Sequence, residues 1–146
     1  MDLAWQFTYI DGLIIAIIIF AVVGFFYIRN ILRRANSEQL DKKFIKEQWK
    51  KTKELLDFGQ EMNYKLAVIE ADKLLDFVLK SYYFNGQKMS ERLKQATYRF
   101  PELKKVFWAH RVRNQVVHEA RYVLKYSEAK KVLELFERAL KVLGAL

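Results

Sequence analysis

A ten-residue segment, His110–Glu119, carries most of the side chains in this chain that could perform chemistry. It reads HRVRNQVVHE and contains Arg113, Asn114 and His118. An arginine can donate two parallel hydrogen bonds to a phosphate, a histidine transfers protons near neutral pH, and an asparagine can orient a hydroxyl group. The combination predicts a phosphate site, with Arg113, Asn114 and His118 as the candidate catalytic residues.

The spacing of these residues decides whether they can act together. Asn114 and His118 are four residues apart and project from the same face of a helix. Arg113 and His118 are five residues apart, which separates them by about 140° around an ideal helix. They converge only if the helix ends or bends near His118, or if a second subunit contributes. The alternative is a structural helix end in which His118 caps the last turn.

Other reaction classes lack the residues they need. The chain has no cysteine and only two histidines, which argues against thiol chemistry and against a zinc site. Its five glycines are scattered, so they form no loop that could cradle a phosphate. Glu70 and Asp72 are expected on the outer face of a helix, away from any cleft. We therefore predict neither a metal nor a cofactor.

Helical periodicity predicts the elements that position the candidate residues. Apolar residues recur at steps of three and four from Tyr64 to Tyr82 and again after Ser127. Between these stretches, a turn at Asn85-Gly86, a short helix capped by Ser90 and a helix starting at Pro101 are expected. The prediction is an all-α fold with a four-helix bundle over residues 61–146. The inner positions of the last helix are Ala129, Val132, Phe136, Leu140 and Leu143.

The sequence Arg113-Asn114-x-x-x-His118, near the end of the third bundle helix, resembles the Arg-x4-His motif of HEPN (higher eukaryotes and prokaryotes nucleotide-binding) domains. The polar residue directly after the arginine belongs to that pattern. Residues 63–76 resemble the first helix of small bacterial members, and the whole resemblance covers roughly residues 60–144. Some family toxins carry a tyrosine two residues after the histidine, where this chain has Ala120 and the nearest tyrosine is Tyr122.

This resemblance implies a metal-independent endoribonuclease or an RNA-binding module. In members that cut RNA, the ribose 2′-hydroxyl attacks the adjacent phosphate. By that likeness His118 acts as acid or base, Arg113 stabilises the charged phosphorus centre, and Asn114 positions the hydroxyl or the arginine. The resemblance also implies a homodimer with the site assembled across it. Other members have no activity, so a non-catalytic, membrane-tethered interaction or scaffold protein is the alternative.

The N-terminal segment, residues 1–28, has a different composition. It contains no lysine or arginine, and 17 consecutive uncharged residues run from Gly12 to Ile28. Such a run covers about 25 Å as a helix, against a hydrocarbon core about 30 Å thick, and preceding residues supply the remainder. We predict a single transmembrane helix at about residues 9–28. A buried core helix and a signal peptide are alternatives, but the acidic start argues against a signal peptide.

Positive charge begins immediately after this span. Arg29, Arg33 and Arg34 predict an amino terminus outside the cell and a cytoplasmic C-terminal domain, and they could bind anionic lipid headgroups. Residues 29–60 predict a basic helical stalk whose end docks on the domain. Residues 29–146 carry 26 basic and 15 acidic side chains, a net charge of +11. This excess favours RNA or another polyanion as a partner, and an anionic membrane leaflet equally.

Overall fold

A computed structural model describes the backbone of residues 9–146 and the side chains of residues 12, 14–15, 17–27 and 42–146. This part of the chain forms helices and no strand, which confirms the predicted all-α class. The expected helix start at Pro101 is a 3₁₀ helix that runs directly into the next α-helix. The elements are α1 Tyr9–Glu54, a 3₁₀ helix Leu55–Phe58, α2 Glu61–Ser81, α3 Met89–Arg99, a 3₁₀ helix Pro101–Lys105, α4 Val106–His118 and α5 Tyr126–Val142.

The chain divides into two compact units, residues 1–41 and residues 42–146. The boundary falls inside the predicted stalk of residues 29–60. The last turns of α1 belong to the second unit because they bury one face, formed by Ile45, Trp49 and Thr52 at steps of four and three residues. The part of the predicted stalk after residue 41 therefore packs as a component of the C-terminal unit.

The second unit is a helical bundle, as predicted. The inner positions expected for α5 are all buried, and so are Val68, Ala71, Leu75 and Val78 on α2. Tyr82, which the periodicity placed on the same inner stripe, is instead 41% exposed. It lies just beyond α2, and its hydroxyl donates a hydrogen bond to the backbone carbonyl of the residue that follows α5, at 2.6 Å.

The start of α3 is held by a glutamate rather than by the predicted Ser90 cap. The helix begins at Met89. The Glu91 carboxylate accepts hydrogen bonds from the backbone amides of Gln87 and Lys88, at 2.8 and 3.4 Å. These two backbone bonds lower the pKa of Glu91 below its usual value. Glu91 thus occupies the position from which a carboxylate satisfies amides that have no partner within the helix.

The described residues contain no helix that is both long and apolar enough to cross a membrane. The transmembrane helix predicted at about residues 9–28 is therefore not confirmed. Residues 1–8 and the side chains of residues 9–11, 13, 16 and 28 lie outside the described residues, as do the side chains of Arg29, Arg33 and Arg34 that were predicted to meet lipid headgroups.

The turn between α2 and α3 depends on Gly86. Its φ angle is +150°, and an added Cβ would lie 2.7 Å from the Glu91 Cβ and 2.9 Å from the Arg92 backbone nitrogen. The Arg92 guanidinium donates to the Gly86 carbonyl and also to the Asp76 carboxylate on α2, at 2.8 Å through Nε. Gly86 therefore allows the close approach by which Arg92 ties the turn to both helices.

We expect Gly86→Ala to reduce the free energy of unfolding by about 3 kcal/mol, because it adds both backbone strain and a clash with backbone atoms. Gly59→Ala is the matched control. Gly59 also has a positive φ, +71°, but open space surrounds its added Cβ, so it should cost only about 1 kcal/mol. Urea titration of the full chain in detergent micelles, followed by circular dichroism, measures both values. Equal losses for the two variants would show that the close contact at Gly86 does not matter.

Candidate functional site

The candidate residues lie along one side of α4. His110, Asn114 and His118 are spaced four residues apart, so they form a continuous stripe along the helix. His110 and Asn114 are partly buried, whereas His118 is exposed and is the last residue of α4. The end of α4 at His118 meets one of the conditions under which the spacing allows Arg113 and His118 to converge.

This stripe lines a cavity of about 550 Å³ between α4, α2 and the start of α3. All three predicted site residues contribute to its wall, together with a second histidine and several charged side chains. The lining residues are Asp72, Lys73, Asp76, Lys88, Met89, Ser90, His110, Arg113, Asn114 and His118. A single chain thus brings Arg113, Asn114 and His118 to one cavity.

The side chain of Arg113 overcomes the angular separation that the spacing predicts. Its Nη1 donates a hydrogen bond to Asn114 Oδ1 at 3.0 Å, which draws the guanidinium toward the stripe. Because an arginine side chain is long, its charged end can lie far from the direction set by its Cα. Arg113 and His118 thus line one cavity within a single chain. The predicted homodimer stays a prediction.

The Asp72 carboxylate on α2 contacts two side chains of α4 that line the cavity, His110 and Arg113. Asp72 is only 2% exposed. Its Oδ1 lies 2.7 Å from His110 Nδ1, and its Oδ2 lies 3.2 Å from Arg113 Nε. An ionised carboxylate only accepts hydrogen bonds, so His110 Nδ1 carries the proton in this pair. The Arg113 contact is an ion pair without aligned hydrogen-bond geometry at Nε.

The expectation that Asp72 lies on the outer face of its helix is wrong. The residue belongs to the buried stripe, because Val68, Asp72 and Leu75 follow one another at steps of four and three. That spacing was the available signal for a buried carboxylate. The partner of His110 could not be predicted from local spacing either, since the pairing joins residues 38 positions apart.

A second carboxylate on α2, one turn after Asp72, fixes the neighbouring helix. Asp76 Oδ1 accepts a hydrogen bond from Arg92 Nε of α3 at 2.8 Å, and Arg92 Nη2 lies 2.7 Å from the same oxygen as an ion pair. Its Oδ2 lies 2.8 Å from Lys80 Nζ. Arg92 is buried, so this charged pair is shielded from solvent on the arginine side. The two carboxylates hold α4 and α3, and both helices contribute residues to the cavity wall.

Basic groups are present in the wall along with these carboxylates. Lys73, Lys88 and Arg113 line the cavity, and Lys73 Nζ is also 2.8 Å from Glu70 Oε1. The described residues contain no cluster of three or more histidine, aspartate or glutamate side chains arranged to hold a metal ion. Arginine and lysine side chains beside histidines are suited to binding an anionic phosphate.

The loop after His118 is anchored by Tyr122. Its hydroxyl donates a hydrogen bond to Glu128 Oε1 in the first turn of α5, at 2.9 Å. Burial, followed by this bond to a carboxylate, raises the pKa of Tyr122 to about 12. Tyr122 does not line the cavity. Its bond to Glu128 instead connects the loop after α4 to the first turn of α5.

Comparison with protein families, with curated proteins and with solved structures finds no match to this chain. The resemblance to HEPN domains therefore stays a prediction based on the residues of α2 and α4.

We expect Asp72→Ala to lower the free energy of unfolding by about 3 kcal/mol, because it leaves Arg113 and His110 without their buried partner. Glu70→Ala is the matched control, two residues earlier on the same helix. Glu70 forms a more exposed ion pair with Lys73, and its loss should cost less than about 1 kcal/mol. Urea denaturation of the full chain in micelles compares the two. If both variants lose the same small amount, Asp72 does not hold α4 against α2.

Proposed function

We propose that the C-terminal unit is an HEPN-like domain that cuts RNA without a metal ion, through attack of a ribose 2′-hydroxyl on the adjacent phosphate. The observation that carries this proposal is the position of Arg113, Asn114 and His118 in the wall of one cavity. These three residue types supply the charge, the hydrogen bonds and the proton transfer that the reaction needs.

Each side chain has a role that follows from its contacts. Arg113 has its Nε toward Asp72 and its Nη1 on Asn114, which leaves Nη2 to bind a phosphate oxygen. Asn114 uses its Oδ1 as the acceptor from Arg113, so its amide NH₂ can donate to the substrate. His118, exposed at the mouth of the cavity, exchanges a proton with the reacting ribose or with the leaving oxygen.

The size and charge of the site support an RNA substrate. A cavity of about 550 Å³ falls within the range of ordinary small-molecule sites and can admit a nucleotide. The net charge of +11 over residues 29–146 attracts the phosphate backbone of RNA, whatever its base sequence. RNA is favoured over DNA because the proposed reaction requires the 2′-hydroxyl.

The full chain in detergent micelles should cleave RNA in the presence of EDTA, across protein concentrations that cover a monomer–dimer equilibrium. Arg113→Ala and His118→Ala should each lower the rate by at least about 100-fold, which is the usual contribution of a transition-state charge or of a general acid or base. Denaturing gel electrophoresis of end-labelled RNA measures the rate and identifies the 2′,3′-cyclic phosphate product.

Arg111→Ala is the matched control, because it removes the same charge from an exposed position of α4 that does not line the cavity. It should cleave within about twofold of the wild type. Absence of cleavage by the wild-type chain at every concentration would remove the enzymatic proposal. So would rates for Arg113→Ala and His118→Ala that match that of Arg111→Ala.

The alternative function is a non-catalytic interaction module. It is favoured by an exposed aromatic pair on the second unit, Phe44 and Phe77, whose ring centroids are 5.9 Å apart. Their exposed fractions are 47% and 39%, so they offer apolar surface to a partner protein. In this alternative Arg113 only ties α4 to α2 through Asp72, and the RNA cleavage experiment gives a negative result for the wild-type chain.

Insertion of the N-terminal segment into a membrane is the second part of the proposal. The described side chains between Gly12 and Tyr27 are almost all exposed, including the consecutive residues Ile17, Ile18, Ile19 and Phe20. Four consecutive positions point in all directions around a helix, so no single docking face would cover them. A lipid bilayer contacts every face of a spanning helix. The arginines from residue 29 onward favour an orientation with the C-terminal unit in the cytoplasm.

In bacterial cells, protease added to spheroplasts should digest an epitope at the amino terminus and spare one at the carboxyl terminus. The chain should also stay in the membrane pellet after carbonate extraction. Ile18→Arg should shift part of the protein to the soluble fraction, since an arginine at the middle of a span costs about 3 kcal/mol. Ile18→Leu is the control and should behave as the wild type. Digestion of the carboxyl-terminal epitope from outside, or full release by carbonate, would overturn this part of the proposal.

A further inference from the structure

His110 is the one titratable side chain of α4 in the cavity wall to which the proposed reaction assigns no role. Its Nδ1 donates to the buried Asp72 carboxylate at 2.7 Å. Because the neutral imidazole has one donor and one acceptor nitrogen, this bond leaves the acceptor on Nε2. Only 14% of the His110 side chain is exposed, and the residue lines the cavity. Nε2 is therefore the ring nitrogen that the contact with Asp72 leaves available to a ligand in the cavity.

We infer that Asp72 and His110 form a second proton-transfer pair in this cavity, in which His110 Nε2 is the general base and His118 is the general acid. This inference rests on the proposed RNA cleavage and adds a catalytic residue to it. A buried carboxylate bonded to Nδ1 fixes the tautomer and the orientation of an imidazole and stabilises the imidazolium that forms when Nε2 takes a proton.

The reaction moves two protons, and two such groups can divide the two transfers between them. His110 Nε2 removes the proton of the ribose 2′-hydroxyl, and the 2′ oxygen forms a bond to phosphorus. The bond between phosphorus and the 5′ oxygen breaks, and His118 donates a proton to that oxygen. The products are a 2′,3′-cyclic phosphate and a 5′-hydroxyl. His110 finishes protonated and His118 finishes neutral, so one proton must return from the first to the second, through water, before the next cycle.

The positions of the two histidines fit a phosphate held between them. They are eight residues apart on α4, which separates their Cα atoms by about 12 Å along the helix axis. Asn114 stands midway on the same stripe, and the Arg113 side chain is hydrogen-bonded to it at 3.0 Å. The residues that bind the phosphate in the proposed reaction therefore lie between the residue that receives a proton and the residue that donates one.

His110 is preferred over His118 as the base because of its surroundings. The carboxylate of Asp72 accepts from the ring and offsets the positive charge that the ring acquires. His118 is exposed at the end of α4, where it can exchange protons with solvent and be reloaded as an acid. The two histidines have different environments, as is expected when two like groups perform opposite steps.

A substrate with a sulfur atom in place of the bridging 5′ oxygen tests this assignment. A thiolate leaves without protonation, so such an RNA needs the base but not the acid. The variants are His110→Asn and His118→Ala in the full chain in micelles. His110→Asn is chosen because its amide can occupy the place of Nδ1 and keep the bond to Asp72, while it has no counterpart of Nε2. A melting temperature of His110→Asn within a few degrees of that of the wild type would show that the bond to Asp72 is kept. Asp72→Asn is the second variant, because it removes the carboxylate charge that supports His110 as the base.

We expect both histidine variants to cleave ordinary RNA at least 100-fold more slowly than the wild type. On the 5′-thio RNA, His118→Ala should recover to within about tenfold of the wild type, whereas His110→Asn and Asp72→Asn should stay slow. Cleavage of ordinary RNA by His110→Asn within threefold of the wild type would overturn the inference and leave the proposed function intact. Recovery of His110→Asn on the thio substrate would also overturn it, since His110 would then be the acid. Absence of cleavage by the wild type would remove the proposed function and this inference together.

Discussion

The contact of one buried carboxylate with two basic side chains organises this molecule. Asp72 is nearly inaccessible to solvent, and it meets His110 and Arg113 from the neighbouring helix. A charge in such a place is costly unless it is paired, so α4 must dock on α2 in the orientation that brings both partners within reach. The same contact orients the imidazole and pairs the Arg113 guanidinium, which the hydrogen bond to Asn114 draws toward the stripe. Asp72 thus contributes both to the stability of the fold and to the geometry of the candidate site.

The second carboxylate of α2 extends this arrangement to α3. Asp76 is one helical turn from Asp72 and binds Arg92, which also reaches back to the carbonyl of Gly86. α2 therefore uses two adjacent turns to hold α3 and α4 by charge, while its apolar stripe packs in the core. The cavity lies where α2, α4 and the start of α3 meet.

Apolar periodicity together with turn and capping signals predicted the helical bundle. Periodicity alone predicted the inner positions of α5, because a buried stripe such as Ala129, Val132 and Phe136 recurs at helical spacing in the sequence. It failed for the polar interior. Asp72 occupies a buried position, yet an aspartate in a helix is ordinarily expected to face solvent. Its pairing with His110 joins distant parts of the chain, which no local spacing encodes. The convergence of Arg113 on the stripe depended on a side-chain hydrogen bond, which helical angles do not contain.

The helical stripe of His110, Asn114 and His118 also restricts how this chain can vary. Substitutions on the exposed side of α4 leave the stripe in register, but insertion or deletion of a single residue between positions 110 and 118 rotates everything beyond it by about 100°. One histidine would then face away from the cavity while the other stayed. Relatives of this protein should therefore keep the length of this segment fixed even where its sequence drifts, and gain or lose residues in the turns between helices instead.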